Sequence, residues 1–254
     1  TSFLMESPAN YNNIYQYDGF GWGTVTYSDS ASLKIANVFR AKESSNQKLR
    51  AVSFYTMTDN QPYRIQIYRG IKSGPTDGLL IDACTTSGTA AQNGYHTIPL
   101  ASPVNLEAGE KFSVVVTYIQ DGSKTVYAPL EGKDTTDSSL RLSYSSQTGQ
   151  SYLYTKKNTT AANNTIHWMD TSVLGYNNVC VKAFADNTEE TADPLPAVKK
   201  TITLGKGETY RLPNKYTGFT SNDPALASVS NTGKVSPLKR GKTPILVSDG
   251  TEIC

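Results

Sequence analysis

Residues 49–69, LRAVSFYTMTDNQPYRIQIYR, contain two runs in which apolar and polar side chains alternate, separated by a short polar stretch. The second run, YRIQIYR at 63–69, alternates almost without a break, which is the pattern of a β-strand with one face in a core. The DNQP sequence at 59–62 is typical of a loop, because Asp, Asn and Pro favour turns. We therefore predict an antiparallel β-hairpin over this stretch.

The same pattern recurs before and after the hairpin. Further strands are predicted at residues 33–39, 94–100, 112–118 and 178–184. No long segment has apolar residues at the spacing of an amphipathic helix. Many short strands separated by turn signals indicate an all-β protein built as a sandwich or barrel.

Composition limits the functional classes. With 254 residues the chain can bury a substantial core, and only 18% of its residues are charged. The net charge of +2 is too small to indicate a nucleic-acid partner, and no apolar run approaches the ~18 residues of a membrane span. Residues 197–254 hold nine Lys or Arg against four acids. Such charges are either solvated or attract an anionic surface.

A change in composition divides the chain in two. The sequence DNTEETADPLPA at 186–197 is acidic, contains proline and has few large apolar residues, which is typical of a linker. Shorter strands are predicted after it at 201–204, 208–212, 227–230, 234–235 and 245–248. We expect an N-terminal connector at 1–14, a larger β-sandwich at 15–186, a linker at 187–196 and a smaller β-sandwich at 197–254.

Several motifs in the larger region carry a resemblance to a known family: YQYD at 15–18, ANVF at 36–39, LRAVSFY at 49–55, GYHTI at 94–98, residues 109–116, GQSY at 149–152, WMD at 168–170 and VCVKAF at 179–184. Their order and spacing are similar to those of the lectin-like domain that follows the papain-like catalytic domain in surface cysteine proteases of clostridia and related gut bacteria. The resemblance implies a jelly-roll or lectin-like sandwich.

The smaller region carries a second set of motifs: LGKGET at 204–209, TSNDPALASVS at 220–230, TGKV at 232–235 and GKT at 241–243. These resemble a group 2 bacterial immunoglobulin-like domain. That family continues with a further strand after the turn at 249–250, whereas four residues remain here. We therefore expect this domain to be incomplete.

No catalytic site is predicted. A papain-like site needs a thiolate paired with a histidine, and neither Cys84 nor Cys180 lies in the sequence context of that nucleophile. These two cysteines either form a disulfide or remain buried thiols. His96 and His167 lie in aromatic β-strands, where a structural role is expected, and no pair of acids stands out for glycoside hydrolysis. The resemblance implies that a papain-like domain lies upstream of Thr1.

Sugar-binding sandwiches stack a sugar ring on an aromatic side chain and bind its hydroxyls with polar groups. The candidates for this role lie in two clusters, at 15–23 (YQYDGFGWG) and at 152–168. Tyr17, Trp22, Tyr152 and Trp168 are the predicted ligand-binding residues, and Tyr154 is a further candidate platform. The alternative is that these aromatics belong to the sandwich itself and that the glycines at 19, 21 and 23 form a tight turn.

Calcium is the cofactor implied by the resemblance, as a structural ion. Loop aspartates are suitable calcium ligands, and we predict Asp18 and Asp170. The resulting hypothesis is a non-catalytic, extracellular module of a Gram-positive cell surface that binds a glycan or cell-wall polymer and accompanies a cysteine protease. The alternative hypothesis is a structural spacer that packs on the protease domain and binds nothing.

Overall fold

The structure is a computed structural model. It describes residues 7–19, 21–122, 125–131, 146–156, 166–192, 202–212, 218–221, 223–241, 243 and 245–248. The chain separates into two compact units, Thr1–Leu195 and Pro196–Cys254. No helix in these residues combines the length and the hydrophobicity needed to cross a membrane.

Nearly all regular structure is β. The strands of the larger unit are β1 (Asn13–Tyr15), β2 (Trp22–Ser28), β3 (Ser32–Arg40), β4 (Asn46–Thr56), β5 (Gln61–Arg69), β6 (Leu79–Leu80), β7 (Thr86–Ala90), β8 (Gly94–Leu106), β9 (Lys111–Ile119), β10 (Val126–Glu131), β11 (Ser151–Lys156), β12 (Ile166–Asp170) and β13 (Val181–Thr188). The helix α1 (Thr171–Leu174) and two 3-10 turns, Pro8–Asn10 and Asp82–Cys84, complete this unit.

Two main antiparallel sheets and a smaller ribbon form the larger unit. One has four strands in the order β1-β13-β4-β8, and the other has the order β12-β11-β3-β9-β5-β6, with β7 also paired to β5. The ribbon β10-β2 is a third, two-stranded sheet. The structure has strands at both predicted positions, β4 and β5, but the predicted hairpin is wrong. β4 pairs with β13 and β8, and β5 pairs with β9, β6 and β7, so the loop between them connects the two main sheets instead of joining paired strands.

The core lies between the two main sheets. Alternate residues of β3, β5 and β9 face it, among them Ile35, Ile65 and Val116, which have no exposed surface. Phe54 of β4 packs in the same cluster. Because side chains of a strand alternate between faces, the intervening residues of the larger sheet point away from this core. This outer face is important for the site described below.

The boundaries of the larger unit differ from those predicted. The predicted connector at 1–14 includes the start of β1, whose Asn13 pairs with Ala185. The predicted linker at 187–196 begins too early, because β13 continues to Thr188 alongside β4. The backbone amide of Ala192 then donates to Glu107 at 2.7 Å, and Ala192 is buried. Residues 193–196 lie outside the described part of the chain.

The smaller unit contains two short antiparallel sheets. Its strands are β14 (Tyr210–Arg211), β15 (Gly218–Ser221), β16 (Ala227–Val229), β17 (Lys234–Pro237) and β18 (Ile245–Ser248). The sheet orders are β14-β17-β16 and β15-β18. The predicted strand at 201–204 is absent from residues 202–204, and residue 201 and the end of the chain at 249–254 lie outside the described residues. The immunoglobulin-like assignment stays a prediction.

Candidate functional site

A row of five side chains crosses the outer face of the larger sheet. The antiparallel register places Trp168 opposite Tyr154, Lys34 opposite Thr117, and Thr117 opposite Arg64. Lys34 contacts Tyr154 and so joins the two halves of the row. We call the five residues Trp168, Tyr154, Lys34, Thr117 and Arg64 the outer row. They belong to five neighbouring strands, β12, β11, β3, β9 and β5, so the row is roughly 19 Å long.

The aromatic end of the outer row is preformed. The rings of Tyr154 and Trp168 meet edge to face, with centroids 5.2 Å apart and an interplanar angle of 63°. The Lys34 ammonium lies 4.9 Å from the centroid of the Tyr154 ring, within the range of a cation–π interaction. All three side chains are half-buried. The pair therefore presents fixed ring surface to solvent.

A second row of outward side chains lies beside the outer row and contains Tyr152 and Asp170. We call it the covered row, because a loop packs on it. Tyr152 is 8% exposed and packs with Ile71, which belongs to the loop between β5 and β6. Asp77 holds this loop by accepting from the backbone amides of Lys72, Ser73 and Gly74 at 2.7 to 3.1 Å. Tyr152 is thus a supporting residue beside the open platform and is not part of it.

Of the four predicted ligand-binding residues, Trp168 packs on the cluster that contains Tyr152, and Tyr152 is also close enough to Tyr17 to affect its pKa. Tyr17 follows β1, stacks on Phe39 at 5.0 Å between centroids and donates its hydroxyl hydrogen to the Val38 carbonyl. Its ring is therefore engaged in packing. Trp22 begins β2 in the ribbon and is 47% exposed, in a sheet separate from that of Trp168.

Asp170, one of the two predicted calcium ligands, caps helix α1. Its Oδ1 accepts from the amide and hydroxyl of Ser172 at 2.9 and 2.7 Å. Its Oδ2 accepts from the amide of Gly149 at 2.6 Å. Both oxygens therefore accept from hydrogen-bond donors, as is usual for a helix N-cap. This arrangement does not fit a calcium ligand.

Asp18, the other predicted ligand, lies in a buried charged cluster. Its side chain has no exposed surface, and its Oδ2 lies 2.9 Å from the Lys182 ammonium. Burial raises the pKa of Asp18, and the charge of Lys182 offsets part of this increase. The Asp18 Oδ1 is also buried, and the Cys180 thiol is the further polar group that interacts with this carboxyl. A second buried carboxyl, Glu131, accepts from Asn178 at 3.0 Å.

The two carboxyl groups influence each other. Burial is the largest cause of the raised pKa of Glu131, and the nearby charge of Asp18 adds to it. When both are ionised, the one ammonium of Lys182 leaves an excess negative charge inside the protein. A proton or a cation would compensate that charge, so of the two predicted calcium ligands Asp18 has the more suitable surroundings, and calcium stays a prediction. No group of three or more His, Cys, Asp or Glu side chains suited to a metal occurs in the described residues.

The surroundings of Cys84, Cys180 and His96 favour a structural role over a catalytic one. Cys84 and Cys180 are both free and buried, so the possible disulfide between them is absent. Burial raises the pKa of the Cys84 thiol to about 11 and raises that of Cys180 further, which favours unreactive thiols. His96 lies 3.0 Å from the Thr56 hydroxyl, and burial lowers its pKa. Cys254 lies outside the described residues.

A shallow depression occurs away from the outer row. It has a volume of about 430 Å³ and is lined by Asn10, Tyr11, Arg50, Pro99, Leu100 and Pro103. Arg50 pairs with Asp186 at 2.6 Å, and the Tyr11 ring packs on Phe184. Because its aromatic and basic groups already have partners, this depression offers less to a ligand than the outer row does.

The fold and these contacts agree with one known family. A family model described as a lectin like domain matches residues 14–185. The chain belongs to the lectin-like domain family. The match is to this domain and not to a protease domain, which agrees with the prediction of a non-catalytic module. Comparison with curated protein sequences gave no match.

Two solved structures show the same fold as this lectin-like chain. One is the Clostridial cysteine protease Cwp84 after propeptide cleavage, with 20% identity and a TM-score of 0.56 over 72% of this chain and 42% of that chain. The other contains the cysteine protease and lectin-like domains of Cwp84, a surface layer associated protein of Clostridium difficile. It is 20% identical, with a TM-score of 0.55 over 72% of this chain and 37% of that chain. The lectin-like chain thus spans less than half of these proteins, and at this identity the likeness concerns the fold.

Sequence reasoning did not identify Lys34, Thr117, Arg64 or Glu131. Lys34 and Arg64 are basic residues at outward positions of strands whose inward positions are apolar, and this pattern could have identified them. Their place beside Trp168 depends on the strand order of the sheet, which no local pattern shows. Glu131 has no sequence signal, because its partner Asn178 is 47 residues away.

Proposed function

We propose that this chain is a non-catalytic carbohydrate-binding module that binds an extended glycan or cell-wall polymer on the outer face of its larger sheet. The observation that supports the proposal is the outer row, in which the paired rings of Trp168 and Tyr154 continue into polar side chains. Carbohydrate sites combine stacking on aromatic rings with a few placed polar groups. The row offers both on one rigid sheet.

The shape of the surface favours a polymer over a single small sugar. The outer row crosses five strands, its central residue Thr117 is buried between Lys34 and Arg64, and the sizeable depression lies elsewhere. A flat platform makes few contacts with one sugar unit and more with several consecutive units. Binding by several weak contacts along a polymer therefore suits this face.

The experiment measures binding of the 254-residue chain to a glycan array and to bacterial cell-wall preparations. We expect Trp168→Ala and Tyr154→Ala to abolish binding, because they remove the stacking surface. Tyr27→Ala is the matched control, because Tyr27 is an exposed aromatic at 65% in the separate ribbon. If Tyr27→Ala or Trp22→Ala abolished binding while Trp168→Ala bound as the native chain does, the binding site would lie on the ribbon and not on the outer row.

The wider context of the proposal comes from the relatives. Because Cwp84 carries a cysteine protease domain and is associated with a surface layer, we propose that this chain accompanies a papain-like protease on a Gram-positive cell surface. The second hypothesis, a spacer that packs on the protease, predicts no glycan binding. It also predicts that Trp168→Ala weakens association with a separately produced protease domain.

A further inference from the structure

We infer that the polymer bound on the outer row is acidic, with carboxylate or phosphate groups along its chain. This inference rests on the proposed function, since it assigns a chemical class to the same surface. Lys34 and Arg64 both belong to the outer row and are separated by the single strand that carries Thr117. Neighbouring strands lie about 4.8 Å apart, so the two basic residues are spaced by roughly 10 Å.

The two basic side chains are available to a ligand. Arg64 is exposed, and Lys34 is half-buried beside the Tyr154 ring. Within the described part of the chain, neither side chain forms an ion pair. By contrast, the exposed Lys48 and Arg50 pair with Glu190 and Asp186.

Two acids of the described residues lie beside this face and accept hydrogen bonds from their own surroundings. Asp170 lies beside Trp168 in the covered row, and its oxygens accept from Gly149 and Ser172. Asp77 accepts from three backbone amides of its own loop. Both carboxylates are held by nearby hydrogen-bond donors, although Asp77 is exposed and Asp170 is half-buried, and in the described residues neither pairs with Lys34 or Arg64.

The chemistry of the two cations matches an anionic polymer. Arginine binds planar oxyanions with two parallel hydrogen bonds, whereas lysine acts as a compact point charge. A neutral glycan would use the aromatic end of the row and leave both cations solvated. An acidic polymer would stack on Trp168 and Tyr154 and pair its anionic groups with Lys34 and Arg64, so it uses the whole row.

The experiment compares polygalacturonate with its fully methyl-esterified form, which has the same backbone without the charge. A phosphodiester-linked teichoic acid serves as a second acidic probe and distinguishes phosphate from carboxylate. Binding of the 254-residue chain is measured by calorimetry at low and high salt. We expect binding to at least one acidic probe, weaker binding at high salt, and at least tenfold weaker binding to the ester.

The double variant Lys34→Gln with Arg64→Gln should weaken binding to the acidic probe about tenfold, because it removes two exposed charge pairs with the ligand. The matched control is Lys239→Gln with Arg240→Gln, which removes the same charge from exposed positions in the smaller unit. It should bind as the native chain does. Melting temperatures of both variants check that the fold is retained.

The outcomes separate this inference from the proposed function. Equal binding to polygalacturonate and its ester, lost in Trp168→Ala, would support the proposed function and overturn the acidic ligand. Loss of acidic binding only in the Lys239 and Arg240 variant would assign the charge effect to the smaller unit and overturn the inference. Binding that Lys34 and Arg64 control but Trp168→Ala leaves unchanged would support an anionic ligand and contradict stacking. No binding to either acidic probe would also overturn the inference.

Discussion

Asp18 and Lys182 form a buried ion pair between residues 164 positions apart in the chain. The Lys182 ammonium donates to Asp18 Oδ2, to the Asp18 carbonyl and to Gln16 Oε1, each at 2.9 Å. It therefore links the segment after β1 to β13. Because Asp18 is fully buried, removing Lys182 leaves a buried carboxylate without its cation or forces that carboxylate to take up a proton, and both cost stability.

Lys182→Ala should therefore lower the free energy of unfolding by about 3–5 kcal/mol. The matched control is Lys48→Ala, whose ion pair with Glu190 is exposed and should contribute no more than about 1 kcal/mol. Chemical denaturation of both variants measures the difference. Equal effects of the two substitutions would contradict a buried charge at Asp18.

Glu131 should make stability depend on pH. Its pKa is raised above the ordinary 4.5, chiefly by burial, so the folded state holds its proton more tightly than the unfolded state. The stabilisation from Glu131 is fully present below pH 4.5 and is lost as pH rises through the folded pKa. In the presence of a chelator, Glu131→Gln should therefore gain stability relative to the native chain as pH rises.

Glu190→Gln is the control for this measurement. Hydrogen bonding and charge from Lys48 lower the pKa of Glu190, so Glu190→Gln should lose stability relative to the native chain as pH rises.

The predicted calcium ion would reverse the pH dependence that Glu131 causes, since a bound cation favours the ionised carboxyl. Millimolar calcium should then raise the melting temperature of the native chain. Asp18→Asn should remove that increase and Asp170→Asn should keep it. Identical melting in chelator and calcium would contradict the calcium prediction.

At the scale of elements, the end of β13 shows where composition misleads. Residues 187–192 are acidic and polar, as linkers are, yet Glu190 pairs with Lys48 and accepts from Asn105. Asn187 and Thr188 continue the ladder with β4. These partners are at least 85 residues away in sequence, so no local pattern could reveal them.

A truncation tests this element. A chain ending at Ala192 should keep the stability of the larger unit, whereas one ending at Asp186 should lose about 2 kcal/mol, since it lacks two ladder residues and several side-chain hydrogen bonds. Denaturation of the two truncated chains makes the comparison. If the two truncated chains were equally stable, residues 187–192 would contribute nothing to the larger unit, and the linker would begin after residue 186 as predicted.

The strands were more predictable than the site. Alternation in β3, β5 and β9 reflects burial of one face, so their positions and their inward residues could be read from the sequence. The outer row could not, because it depends on which strands are neighbours. Tyr154 and Trp168 were recognised as aromatics, but their position beside Lys34 follows from pairing of β11 with β3, strands separated by more than a hundred residues.

At the scale of the whole molecule, the two units differ in the core that they can bury. The larger unit has an extensive apolar cluster between its two main sheets. The described part of the smaller unit has two short sheets, in which Val235 is the buried apolar residue. Stability rises with the apolar surface that a domain removes from water. The smaller unit should therefore be the less stable one.

Calorimetry of the 254-residue chain should show two unfolding transitions, with the smaller unit unfolding at the lower temperature. Val235→Ala should shift the first transition alone, because it removes packing from the smaller unit. Ile65→Ala, which opens a cavity in the core of the larger unit, should shift the second alone and cost about 2–5 kcal/mol. If either substitution moved both transitions, or if a single transition were seen, the two units would unfold as one cooperative structure.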